Sequence, residues 1–98
     1  MSRGSLIITD GSGTITTGGT AQTLFAAAAE RRGYAVQNLS TGNLYINDVG
    51  GTAVSTGTGS SFTLIPGAMY ESPQQGRPTQ AISILGATTS QAFAAREW

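Results

Sequence analysis

Gly, Ser and Thr occupy 38 of the 98 positions, 14, 10 and 14 respectively, and they recur along the whole chain instead of gathering in one tract. Gly costs a helix about 1 kcal/mol per residue relative to Ala, and β-branched Thr is also a poor helix former. The pattern therefore points to a turn-rich β protein of one domain at most. The chain has no Cys and no His, which removes disulfides, thiol nucleophiles, Cys/His zinc sites and acid–base schemes that depend on imidazole. Five Arg, no Lys and five acidic residues give zero net charge. A nucleic-acid or anionic-membrane surface normally shows as a basic excess, and the only adjacent cationic pair is Arg31-Arg32. Neither nucleic acid nor membrane is an expected partner.

Two regions differ in their grammar. Residues 1–20 carry five Gly between Gly4 and Gly19 with no sustained alternation, and read as an extended N-terminal arm with a short strand near Leu6 to Thr9. The apolar run Leu6-Ile7-Ile8 is far too short for a signal-peptide core or a spanning helix, so a soluble protein of intracellular origin is expected. Residues 21–98 read as a compact β domain of short strands divided by turn signals. Strands are expected at Thr23–Ala26, Tyr34–Leu39, Leu44–Asn47, Thr52–Val54, Ser61–Ile65, Ala68–Glu71, Ala81–Leu85 and Gln91–Trp98. Ala27–Arg32 reads as a helical turn capped by Gly33, and Ser40-Thr41-Gly42-Asn43 as a tight connection making a hairpin of its two flanking strands. The fold class is all-β, a small antiparallel sandwich or barrel, jelly-roll-like forms included, with an extended arm. A small domain with no disulfide and no metal site often gains its remaining stability by association, so an oligomer is expected.

Chemistry-bearing groups are sparse. Asp10, Glu30, Asp48, Glu71 and Glu97 fall about one to an element, with no pair at motif spacing, so neither catalysis nor a small-molecule substrate, metal or cofactor is expected. Gly11-Ser12-Gly13 and Gly57-Thr58-Gly59 lack the strand, helix and Lys of a phosphate loop. Asn43, Asn47 and Asp48 read as residues capping their own turns in preference to calcium ligands. Tyr34, Tyr45, Tyr70 and Trp98 are candidate exposed aromatics for a glycan platform, with rim and core packing as the alternative reading. Leu6, Ile7, Ile8 and Ile15 are the arm's apolar anchors for a neighbouring subunit, and Arg31 and Arg32 a helix end or an intersubunit ion pair.

Several phrases carry a family resemblance: Phe25-Ala26-Ala27, Arg31-Arg32-Gly33-Tyr34, Val36-Gln37-Asn38, Leu44-Tyr45-Ile46-Asn47 and Gly51-Thr52-Ala53, then Ile65-Pro66-Gly67, Tyr70-Glu71, Pro78-Thr79-Gln80-Ala81-Ile82, Gly86-Ala87-Thr88 and Glu97-Trp98. Over residues 22–98 the chain resembles small phage virion proteins of the capsid decoration or cement type. It departs from their usual turn before the Arg pair, where Ala27–Glu30 stands. The resemblance implies a β-sandwich or barrel in the virion, assembled in the host cytoplasm. It implies a non-enzymatic structural role, as cement bridging the major capsid protein and copies of the chain itself, in a homotrimer. A head-fibre or tail component that binds a receptor or glycan is the second function it implies.

Overall fold

The computed structural model describes residues 8–56, 61–73 and 75–98. Its strands are β1 (Thr9–Asp10), β2 (Gly13–Thr14), β3 (Gln22–Phe25), β4 (Tyr34–Asn38), β5 (Leu44–Asn47), β6 (Phe62–Leu64), β7 (Met69–Glu71), β8 (Ile82–Gly86) and β9 (Ala92–Glu97). Their pairing is nested: β1 and β2 lie antiparallel on β9, β3 on β8, β4 on β7 and β5 on β6. The chain is thus one long antiparallel hairpin that reverses between β5 and β6. It is rolled up so that β9 also pairs with β4 and β8 with β5. Two sheets result, in the orders β1/β2-β9-β4-β7 and β3-β8-β5-β6, the arrangement of an eight-stranded jelly roll once β1 and β2 are counted as one interrupted strand.

The core lies between the sheets and follows the two-residue period of a strand with one face inward. Tyr34, Val36 and Asn38 of β4, Leu44 and Ile46 of β5, Ile82 and Ile84 of β8, and Phe93 and Ala95 of β9 are all buried. Gln91 and Glu97 share the inward phase of Phe93 and Ala95, and both are buried polar groups. Gly86 is a point of close approach: a Cβ there would stand 2.8 Å from Ile15 Cγ1 and 2.5 Å from Gln91 Oε1.

Four sequence expectations are corrected. Tyr34–Leu39 and Leu44–Asn47 do not form a hairpin, because both edges of β4 are already taken, by β9 and β7. Residues 39–43 instead form an arch between the sheets. Asn38 holds it, with Nδ2 donating to the carbonyls of Gly42 and Leu64 at 2.7 Å each and Oδ1 accepting from the Ser40 amide at 2.8 Å. The helical turn at Ala27–Arg32 reduces to one bond, from the Arg31 amide to the Ala28 carbonyl at 3.0 Å, because the Arg31 side chain is drawn into the interior. Thr52–Val54 is not a strand; its amides are met by hydroxyls, Ala53 N by Ser83 Oγ at 3.0 Å and Val54 N by Ser61 Oγ at 3.1 Å. Finally, the described part of the arm pairs with the chain's own first sheet. β1 and β2 form an edge of the first sheet, and Ile15 belongs to the core cluster, so the compact unit begins well before residue 21.

Candidate assembly interface

The N-terminal strand is seated mainly through its backbone. Thr9 faces Glu97, Asp10 faces Arg96, Gly13 faces Phe93 and Thr14 faces Ala92. Between the two short strands the Gly11 amide donates to the Ala95 carbonyl at 2.9 Å. There Ser12 Oγ accepts the Ala95 amide at 3.0 Å, so a side chain bridges the interruption. Beyond β2, Ile15 N donates to the Gln91 carbonyl at 2.9 Å and the Ile15 carbonyl accepts from Ser90 N at 2.7 Å. Thr9, Asp10, Gly13 and Thr14 are exposed, whereas Ile15 is fully buried. The attachment therefore combines mostly main-chain bonding with the Ser12 bridge and a single apolar plug.

The segment that follows closes the seat. Gln22 reaches back across it, its Oε1 accepting Thr16 N at 2.8 Å and its Nε2 donating to the Thr14 carbonyl at 3.1 Å. Gly19 adopts φ +83°, a left-handed conformation that favours Gly, and its amide bonds the Gly86 carbonyl at 2.8 Å. At the other end, two bonds from Ser12 to Asp10 hold the carboxyl below its ordinary range, the backbone amide at 3.0 Å being the stronger. On the outer face of this sheet, Ile8, Ala35, Met69, Ala94 and Arg96 line a shallow hollow of about 300 Å³. Ile8 and Met69 are about three-fifths exposed.

The residues singled out in the sequence separate into different environments. Leu6 and Ile7 lie outside the described residues. Ile8 is exposed, whereas Ile15 fills the chain's own core. Arg32 is exposed, while Arg31 is wholly buried and is no surface cation. Arg31 Nε donates to Glu97 Oε1 at 2.8 Å, its two terminal nitrogens bond the carbonyls of Ala26, Pro78 and Gln80, and its guanidinium lies 5.7 Å from the Phe25 ring centre. The buried charge is thus paired within its own chain, as burial requires. Both it and the amides of Arg32 and Gly33, which bond the Trp98 carbonyl, tie the end of β9 to the chain before β4.

Nor do the four candidate aromatics share one exposed surface. Tyr34 is fully buried, its ring 6.4 Å from Phe25 and 5.8 Å from Tyr70, and Tyr70 stands 4.6 Å from Phe62. Trp98 is half-buried beside Gly33, and Tyr45 half-buried on the outward phase of β5. Burial, and then the hydrogen bond to Asp48, drives the Tyr34 phenol far above its ordinary range. Sequence reasoning passed over Gln91 and Glu97, although their phase with Phe93 and Ala95 puts both on the inner face. It had no local signal for Arg31 over Arg32.

No family model matches the chain, and no curated protein matches it in sequence. Among solved structures, a chain from work described as "Bacillus endospore appendages form a novel family of disulfide-linked pili" is similar at 22% identity and a TM-score of 0.49, covering 99% of this chain and 90% of that one.

Proposed function

We propose that the chain is a non-enzymatic structural subunit that joins its neighbours by lending its N-terminal strand to the sheet edge of another copy. The observation that carries this is the seat itself: backbone bonds along β9 plus the Ile15 plug, a set of contacts that any copy offers equally. Exchange of an identical element between copies conserves every contact and so costs little beyond the hinge. Residues 16–21, with Gly18 and Gly19 among them, are the segment that would have to extend. Main-chain pairing along a sheet edge gives affinity with little demand on side chains, which suits an arm of Gly, Thr and Ser. Asp10 engages Ser12, Asp48 engages Tyr34 and Glu97 engages Arg31, structural roles that also favour a scaffold over a catalyst. In its finer form this subunit is cement on a phage head, bridging major capsid proteins in the virion; that form rests on the phrases between residues 22 and 98.

The closing bond can be made switchable. Thr14 faces Ala92, and since Ile15 and Gln91 are the hydrogen-bonded neighbours, this is the closer, non-hydrogen-bonded type of pair, with a spacing a disulfide tolerates. The double variant T14C/A92C, oxidised as a dilute monomer, should stay monomeric on concentration and should assemble once reduced. Equal assembly of the oxidised and reduced forms, or none by the wild-type chain, rejects arm exchange.

A further inference from the structure

A second cavity, of about 250 Å³, opens on the flank of the sandwich between the chain after β5 and the chain after β7. Asp48, Val49, Tyr70, Pro73, Arg77 and Pro78 line it. Asp48 is held from two sides. Asn47 Oδ1 accepts the amides of Val49 and Gly51 at 3.1 Å each, fixing the turn, and Asp48 Oδ2 accepts Tyr34 Oη at 2.6 Å. Burial holds the Tyr34 phenol in its protonated form beyond its ordinary range, so it remains a donor to Asp48 Oδ2. Asp48 Oδ1 has no hydrogen-bond partner among the described residues, and neither has the exposed Arg77 guanidinium, so opposite charges line one hollow without pairing. Tyr70 is also pushed up, by burial first and by the Asp48 charge second, which places its ring in the carboxylate's field.

A ligand for this cavity must satisfy a fixed acceptor, a mobile donor and an apolar wall together. A small anion meets Asp48, a small cation meets Arg77, and an apolar molecule leaves both charges desolvated. A polyhydroxylated ring meets all three demands, since each hydroxyl both donates and accepts and one face of a pyranose presents only C–H groups. The volume lies just below the roughly 300–1,000 Å³ of ordinary ligand pockets, which suits a single ring. We propose that this cavity binds one pyranose ring, with Asp48 Oδ1 accepting from a hydroxyl, Arg77 donating to neighbouring oxygens, and Tyr70 with the two prolines against the C–H face. The site lies apart from the N-terminal strand and is independent of how copies join.

The test is an NMR titration of the ¹⁵N-labelled full chain with the methyl pyranosides of glucose, galactose and mannose, with glycine as a zwitterion that could pair both charges. At least one pyranoside should give saturable amide shifts confined to residues 47–49, 70–72, 76, 77 and 79, with a dissociation constant on the order of 1 mM. Asp48→Asn, which still accepts the Tyr34 hydroxyl, and Arg77→Ala, on an exposed loop, should each weaken it by about tenfold or more. No saturable shift from any pyranoside up to about 100 mM overturns the proposal. So does binding unchanged in both variants, or the same saturable shifts produced by glycine.

Discussion

Ile15 is the one buried side chain on a strand otherwise exposed from Thr9 to Thr14. Ile15→Ala should cost about 2–5 kcal/mol, the range for truncating a buried aliphatic residue whose site collapses only partly. Urea unfolding should show this as a lower midpoint with an unchanged slope. Arg31 makes a different kind of point. Arg31→Met takes the guanidinium away from the Glu97 carboxylate and from the carbonyls of Ala26, Pro78 and Gln80, and loss of about 3–5 kcal/mol is expected. The double change R31M/E97L should recover part of that loss in the same urea experiment, because it also removes the buried carboxylate whose cationic partner the single change takes away. Tyr34 sets an alkaline limit. Its phenol is raised above the ordinary value of 10.0 by burial first and Asp48 second, so the unfolded chain loses that proton before the folded one does. The stabilisation is complete below about pH 10 and is lost progressively as pH rises above it. Thermal melts of Tyr34→Phe should start lower at pH 7, through loss of the Asp48 bond, and should fall less steeply than wild type above pH 10.

At the scale of elements, alternation in the sequence identifies β4, β5, β8 and β9 well, because each buries one face and the side-chain period is fixed at two. What alternation cannot contain is the partner of each strand. Tyr34–Leu39 and Leu44–Asn47 look like a hairpin since they are close in sequence, yet β4 pairs with β9 and β7, far along the chain. The arch that separates them depends on Asn38, a residue whose turn-forming character is legible but whose bonds to Gly42 and Leu64 are not. For the same reason Ile15 could not be told from Ile8, nor Arg31 from Arg32: each pair shares its chemistry and differs only in what the rest of the chain brings against it. Asn38→Ala should cost about 1–3 kcal/mol for each buried group left without its bond, measured by chemical denaturation. Amide exchange offers an independent view of the pairing. β9 and β4, each paired on both sides, should exchange last, and β1, β2 and β7, at the two edges of the first sheet, should exchange much earlier. Equal protection across that sheet would contradict the nested arrangement.

For the whole molecule, the nested hairpin makes the first strand the partner of the last, so the N-terminal segment closes one edge of its sheet and is added from outside. An edge filled by such a segment is a place where copies can trade. The abundance of Gly, Thr and Ser then serves two ends: turns that let the long hairpin roll, and an arm that pairs through its backbone. Mixing two single variants, Thr14→Cys and Ala92→Cys, measures the exchange most directly. The chain has no Cys of its own, so after co-refolding, concentration and oxidation a mixed disulfide between Cys residues at these two positions reports an arm seated on another copy. Arm exchange predicts a covalent dimer joining position 14 of one copy to position 92 of another, identified by peptide mass. Only homodimers, 14 to 14 or 92 to 92, or monomers with free thiols, would contradict it.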